Sequence, residues 1–375
     1  MAKETGKKSS RILTFDLMRG YFLVAIILDH IYFFPNGLDW WSARGDLFVT
    51  TAEGFFLISG IVLGIVRGAK LIDKPFAQVS KLLLKRSVQL YLTAIALVFL
   101  FTVLGWTLFM NYPGLKVGIA PSDSNPLSLI WQIVTLQYFY GWADYLRLYA
   151  IFLFVSPLAI WLLRKGWWYI LLAINVSVWL LFPSDPTVPD LTQELLQPLS
   201  WQLIFFSGLS IGFHWNHITT WWHGQSQLRK QIIRWGILAL AVTTLIANII
   251  IKFGPLYFNL HSIPQNFSDY NLYIGYFDKE RLPFTRIALF FLWFWAAFFL
   301  FRRFEDTIIR FFGWLLLPFG TNSLYVYTLH AFIIFFIHIW LVPGNILFNF
   351  IVSVSAVALI RIAIHYKFLM KIIPR

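Results

Sequence analysis

The chain of 375 residues contains no cysteine. That removes disulfides, thiolate metal sites and a cysteine nucleophile from consideration, and cysteine usage gives no sign of the compartment. Charge is scarce too. Asp, Glu, Lys and Arg make up 13% of the residues, against roughly a quarter in soluble globular chains, so most of the surface must face something other than water. Acidic residues are the rarer sign, 17 against 30 basic ones. No H-E-x-x-H, Walker loop or G-x-G-x-x-G occurs, so no metal or nucleotide motif is present. His214, His217 and His223 cluster without an acidic ligand beside them, and no metal is assigned to them. The first apolar run lacks a small-residue cleavage site and is read as a retained helix rather than a signal peptide.

What the chain does contain is apolar and aromatic: 59% of residues are hydrophobic, with 39 Phe, 18 Trp and 16 Tyr. A span needs about 20 apolar residues. Such runs fall near 12–34, 46–67, 82–108, 145–163, 168–182, 198–214, 233–252, 284–301, 314–341 and 345–366. The composition therefore predicts an all-α polytopic integral membrane protein of about ten transmembrane helices, in one domain over residues 1–375 with a short basic start at 1–11. The net charge of +13 belongs to loops between apolar runs, so it reads as the positive-inside signal and not as a nucleic-acid surface. With both termini cytoplasmic, Lys81, Lys85, Arg86, Arg164, Lys165, Arg229, Lys230, Arg302, Arg303, Lys367 and Lys371 all fall inside. The outer loops are then 35–45, 109–144, 183–197 and 253–283, and the third holds Asp185, Asp190 and Glu194 without Lys or Arg. This pattern requires the short run at 127–141 to be re-entrant or to lie at the outer interface. The two longest outer loops are rich in Tyr, Phe, Asn, Asp and Pro; that composition suits a carbohydrate, and equally an ordinary structured loop.

The first run, RILTFDLMRGYFLVAIILDHIYFFP, carries Asp16, Arg19, Asp29 and His30. An unpaired charge at mid-bilayer costs about 2.5–3.5 kcal/mol on insertion scales, so a helix used only as filler has no reason to keep them. Arg19 and His30 lie eleven positions apart, which is about 20° of rotation and about 16 Å of rise. They share one face, with Arg19 in the inner half and His30 near the outer edge. Asp16 lies one turn before Arg19 and is placed to pair with it. Asp29 faces about 100° away from His30 and suits orienting a neighbour. The bland alternatives are an interfacial ion pair with a snorkelling Arg and a His bonded to a backbone carbonyl.

Further polar groups sit in later runs. Glu53 is a carboxylate in an apolar helix, positioned either to hold the His30 tautomer, to pair with Arg19, or to lie at the interface. Gly54, Gly60 and Gly64 give that helix a small-residue face. Lys85 and Arg86 open the third run, as positive-inside anchors or as a clamp for cofactor phosphates. Asp144 and Arg147 lie one turn apart. Gln202 interrupts an apolar stretch, and Asn322, Tyr325, Tyr327 and His330 share one run, as residues facing a cavity do; core hydrogen bonding is the competing account for each.

Together these residues resemble the OpgC-type membrane acyltransferases, related to the broader acyltransferase-3 group. The Arg, ten residues, then His of Arg19 and His30 matches that group's hallmark. Asp16 three before Arg19–Gly20, the Asp29–His30 pair ending the helix, and the Phe-x-x-x-Ser-Gly of Phe55 to Gly60 are closer to the OpgC type. The similarity continues through Lys85–Tyr91, Ala143–Pro157, Trp201–Gln202 and Tyr325–His330, covering nearly the whole chain. One departure is Tyr145–Leu146–Arg147–Leu148, where the pattern has an aliphatic-proline pair.

The resemblance implies transfer of an acyl group, acetyl or succinyl, from cytoplasmic acyl-CoA to a hydroxyl of an extracytoplasmic glycan or glycolipid. The named member type succinylates periplasmic glucans. His30 is then the general base, with Glu53 or Asp29 orienting it. Asp16, Arg19, Arg86, Gln202, Tyr325 and His330 serve the donor and substrate. The implied partners are the lipid bilayer and a carbohydrate acceptor, with no metal and no nucleic acid, in the plasma membrane of a bacterium. A transporter or flippase for an anionic lipid or sugar is the competing class; it implies broken helices and inverted repeats, which the sequence does not display. A non-catalytic scaffold gives no reason for four ionisable groups in one helix.

Overall fold

The computed structural model describes residues 12–108, 118–142, 144–181, 190–257, 275–371 and 373. The basic start at 1–11, and much of the aromatic and acidic outer loops at 109–117, 182–189 and 258–274, lie outside the described residues. The described elements are helical. Seven helices are long and apolar enough to cross a membrane: Thr51–Ala69, Phe76–Thr107, Tyr145–Arg164, Gln227–Phe253, Phe284–Arg303, Ser323–Trp340 and Ile346–His365. Helix α1 (Leu13–Ile31) is of similar length, 19 residues, but holds the three charges of Asp16, Arg19 and Asp29.

In chain order α1 is followed by the short α2 (Asp39–Ser42), α3 (Thr51–Leu63, continued as a π turn over Gly64–Ala69), α4 (Phe76–Leu108), α5 (Pro126–Val134) and α6 (Asp144–Arg164). Then come α7 (Trp168–Leu180), α8 (Asp190–Phe213), α9 (Trp215–Gly224), α10 (Gln227–Tyr257), α11 (Phe284–Arg303), α12 (Glu305–Thr321), α13 (Ser323–Trp340) and α14 (Ile346–His365). The polar helix is the hub. Helix α1 packs against α3, α11, α12, α13 and α14, and its residues Phe15, Leu17, Met18, Leu23, Ile27 and Ile31 are buried. Lipid-facing helices read the other way: α10 and α14 keep long rows of exposed Leu, Ile, Val and Phe.

Two close helix contacts rest on glycine. On α3 and the π turn, Gly60 and Gly64 meet Gly208 and Gly212 of α8, and a Cβ on any of the four would run into backbone atoms of the facing helix. In lipid, association depends on backbone approach and van der Waals packing because no hydrophobic drive remains. Gly20 of α1 and Gly320 of α12 do the same: a Cβ at Gly20 would strike the Leu316 carbonyl, and one at Gly320 the Asp16 carbonyl.

The apolar run at 314–341 is not one helix. It divides at Asn322, which has φ −116° and ψ 35°, into the end of α12 and all of α13. Pro318 withholds an N–H inside α12, and the Asn322 amide donates back to the Pro318 carbonyl at 2.9 Å. Continuous hydrophobicity hid this break, because each half is apolar enough to extend the other. Helix α12 packs on the Asp16–Gly20 stretch of α1, and α13 runs from there toward the His30 end.

Segment 118–142 holds only the nine-residue α5, too short to cross. Ile119 and Tyr140 both lie against Gly105 of α4, whereas Val134 reaches Tyr91, whose hydroxyl donates to the Val134 carbonyl at 2.6 Å. The segment therefore dips along α4 by about 20 Å (the rise from position 105 to 91) and returns to the level at which it began.

Candidate functional site

Helix α1 ends at Ile31 because Tyr32 takes a left-handed conformation, φ 59°, and Pro35 follows. His30 thus sits in the last turn, half-buried, facing α13. Its Nδ1 lies 3.1 Å from Nε2 of His330, and the two rings are stacked with centroids 5.3 Å apart. Nδ1 of His330, in turn, meets the Tyr327 carbonyl. A carbonyl only accepts, so His330 carries its proton on Nδ1, and as a neutral imidazole it offers the Nε2 lone pair. That lone pair requires His30 to donate from its own Nδ1. The lone pair of His30 therefore sits on Nε2, and among the described residues nothing hydrogen-bonds to that atom. One carbonyl fixes both tautomers in series. A third histidine braces the arrangement: His338 Nε2 donates to the His30 carbonyl at 3.1 Å, a helix-end acceptor with no partner inside α1. The His338 ring stacks on Trp142 at 5.3 Å.

The other face of the same turn holds Asp29, which accepts the Ser42 hydroxyl and lies against Gly45.

Glu53 has different partners from those expected. At the third position of α3 it accepts from the Thr50 backbone N–H at 3.2 Å and from the Thr50 hydroxyl at 2.6 Å, as the glutamate of a capping box does. Its other oxygen takes the Arg286 guanidinium at 2.7 Å, and both side chains of that pair are 0% exposed. Arg286 also donates to the Phe277 carbonyl at 2.6 Å. Neither His30 nor Arg19 is a partner of the Glu53 carboxylate; the carboxylate holds α3, α11 and the 276–283 segment together. Arg286 was missed as well, although an Arg in the first turn of an otherwise apolar run asks for an acid elsewhere in the fold.

The remaining candidates separate into two groups. In the first half of α1, three turns before His30, Arg19 is half-buried, donates to Ser59 of α3 at 3.2 Å and sits 5.7 Å above the Phe55 ring. Asp16 is buried beside it, where α12 crosses. Arg86 is part-exposed and donates to Gln89 at 2.7 Å. Gln202 and Tyr325, by contrast, are tied into the frame. The Gln202 amide donates to the Asn175 carbonyl at 2.7 Å, joining α8 to α7. The Tyr325 hydroxyl donates to the Phe368 carbonyl at 2.5 Å, joining α13 to the turn after α14. The Asp144 side chain lies outside the described residues; Arg147, one turn on, is buried with its guanidinium 3.7 Å from the Phe139 ring centre and 3.2 Å from Gln197.

Arg19 and His30 thus lie on one buried helix, a half-buried guanidinium in its first half and a tautomer-locked imidazole in its last turn. No curated protein matches the chain. The family model described as OpgC protein matches residues 11–372, which takes in all of these groups. The chain belongs to the OpgC family.

Proposed function

We propose that the protein is an O-acyltransferase in which His30 Nε2 is the general base. Family membership points to membrane acyl transfer. The observation that carries the residue assignment is the series Tyr327 carbonyl, His330, His30, which leaves the Nε2 lone pair as the one basic position of the pair. As an acceptor hydroxyl gives its proton to Nε2, positive charge spreads to the Nδ1 hydrogen bond with His330. His330 takes up that charge without a change of tautomer. A base positioned this way contributes about 10²–10⁴ in rate.

In this reading ten helices cross the plasma membrane of a bacterium, both termini are cytoplasmic, and segment 118–142 is re-entrant from outside. Residues 1–375 form one domain. The His30 end then opens outward, toward the hydroxyl of a glycan or glycolipid. The Arg19 end faces the cytoplasm, where Arg19, Asp16 and Arg86 guide acetyl-CoA or succinyl-CoA, the pantetheine arm lying along α1. Gln202 and Tyr325 keep structural roles, and Asp29 positions the Ser42 loop. The test is acyl transfer from acyl-CoA to a glycan by the purified protein. Wild type transfers and His30→Ala does not, while both unfold at the same temperature. Equal turnover by the two proteins would remove His30 from the chemistry.

A further inference from the structure

Two cavities lie against the short helix α2, and Trp40 and Ala43 are walls of both. The first has a volume of about 480 Å³, within the range of about 300–1,000 Å³ usual for ligand pockets. It is lined by Pro35, Gly37, Asp39 and Arg44 of the segment that follows His30, and by Phe253 and Ile346. Phe253 closes the apolar span of α10 and Ile346 opens α14, so this cavity sits at the level of the helix ends. The second, of about 280 Å³, lies between α1, α3, α10 and α11. Its α11 wall runs from Phe290 to Ala297. At the α-helical rise that is about 9–20 Å from the start of α11, well inside a hydrocarbon core of about 30 Å.

The two differ in chemistry. In the first, the exposed Trp40 ring lies 5.7 Å from that of Phe253. One Asp39 oxygen takes the Arg44 guanidinium at 2.7 Å, and the other accepts the N–H groups of Asn36 and Gly37, each at 2.9 Å. Carboxylate and guanidinium cancel, so the cavity presents donors, acceptors and an aromatic face without net charge. That suits the hydroxyls and C–H face of a sugar; a phosphate would meet the charge of Asp39 along with that of Arg44. Ala43 and Arg44 have φ of 52° and 59°, a conformation rare for residues with side chains and one that collects at ligand clamps. The second cavity is aromatic and aliphatic, with Tyr21, Leu245, Ile249 and Trp293 in its walls. Trp41 lines it too, and the buried indole N–H of Trp41 has no acceptor among the described residues, although buried donors are nearly always paired.

We propose that the two cavities form one site for a lipid-borne sugar. A neutral sugar head lies in the cavity at Asp39 and Arg44, a hydrocarbon chain lies in the crevice between α1, α3, α10 and α11, and an oxygen of the head–chain junction accepts from the Trp41 indole. This rests on the His30 reading above and makes the acceptor a glycolipid. A free glycan reaches only the surface cavity, and a lipid without a sugar reaches only the crevice; the shared walls Trp40 and Ala43 join the two. Pro35, five residues past His30, is within about 18 Å of it along the chain, and the hydrogen bond from Ser42 to Asp29 ties α2 to the last turn of α1. The crevice positions the chain without hydrophobic gain, because the chain leaves one apolar medium for another. Discrimination among lipids therefore lies with the head.

The test uses the full-length protein in phosphatidylcholine nanodiscs, with monohexosyl diacylglycerols (glucosyl and galactosyl) that carry a diazirine on one acyl chain. Irradiation should label α10 around Leu245–Ile249 and α11 around Phe290–Ala297. Unlabelled monohexosyl diacylglycerol should compete, whereas diacylglycerol, phosphatidylglycerol and free hexose should not. Trp40→Ala, at an exposed position, should lower labelling at low probe concentration by about tenfold. Ala297→Trp, which fills the crevice, should abolish the α10 and α11 label in folded protein. Label spread evenly over the lipid-facing helices, or equal competition by diacylglycerol or phosphatidylglycerol, makes the crevice a seat for bulk lipid and overturns the proposal. Equal competition by free hexose, or unchanged labelling of Trp40→Ala, overturns it too. If wild type acylates a soluble oligosaccharide and the crevice takes no label, the lipid site fails and the His30 reading stands. If the crevice is labelled as expected but no glycan or hexosyl lipid is acylated, the His30 reading fails and the binding site stands.

Discussion

Replacing Glu53 by Gln keeps the shape of the side chain and removes its charge. Gln at this position still serves the capping box with Thr50, so the change isolates the pair with Arg286. Both partners are wholly buried, with Arg286 Nε 2.7 Å from the carboxylate. Breaking a buried pair from one side leaves an uncompensated charge and costs about 3–5 kcal/mol. Typical net stabilities are about 5–15 kcal/mol, so the loss takes a large share of the total. Removing both charges in Glu53→Gln/Arg286→Met relieves most of it, because paired removal of buried ions is often neutral. What stays lost is the Arg286 bond to the Phe277 carbonyl, about 1 kcal/mol. The assay is thermal unfolding in detergent, followed by tryptophan fluorescence, with acyl transfer measured per folded molecule. The single variant should unfold far below wild type, the double variant close to it, and the folded fraction of both should turn over. A Glu53→Gln protein that is as stable as wild type but inactive would refute this reasoning and return Glu53 to His30.

The His330 relay predicts an ordered series: His330→Gln, whose amide oxygen reaches the place of Nε2 and still accepts from His30 Nδ1, keeps more activity than His330→Leu, with the latter down by about 10²–10⁴ in kcat. Tyr325→Phe and Gln202→Leu each remove one buried hydrogen bond, so each should cost about 1 kcal/mol or somewhat more in stability and leave KM for acyl-CoA unchanged. Gly320→Val forces α12 off α1, since its branched side chain has nowhere to go against the Asp16 carbonyl; the yield of folded protein in detergent should collapse, whereas Gly224→Ala, with open space around it, should not alter it.

The polar face of α1 could be read in advance because helical periodicity fixes which residues of one helix point the same way. The spacing sets Arg19 and His30 about 20° apart around the helix, but the structure gives Arg19 a partner on α3 and His30 one on α13; the weakness of α5 as a span followed from its length and the loop charges. Periodicity does not say which neighbour meets a face. For that reason Glu53 was aimed at His30 or Arg19, when its partner is Arg286, 233 positions along the chain. The same gap explains why Gln202 and Tyr325 read as cavity groups; their acceptors are backbone carbonyls, which carry no sequence signal. The break at Asn322 was hidden by hydrophobicity on both sides of it. His330 stood among several polar residues of one run, and only the fold shows that it is the one stacked on His30.

The most direct test of the account is single-turnover transfer of a labelled acyl group from CoA to a glycan by the purified protein, comparing wild type with His30→Ala. The account predicts a fall of about 10²–10⁴ in the transfer rate, with acyl-CoA still bound and the unfolding temperature unchanged. Transfer at the wild-type rate by His30→Ala would contradict it.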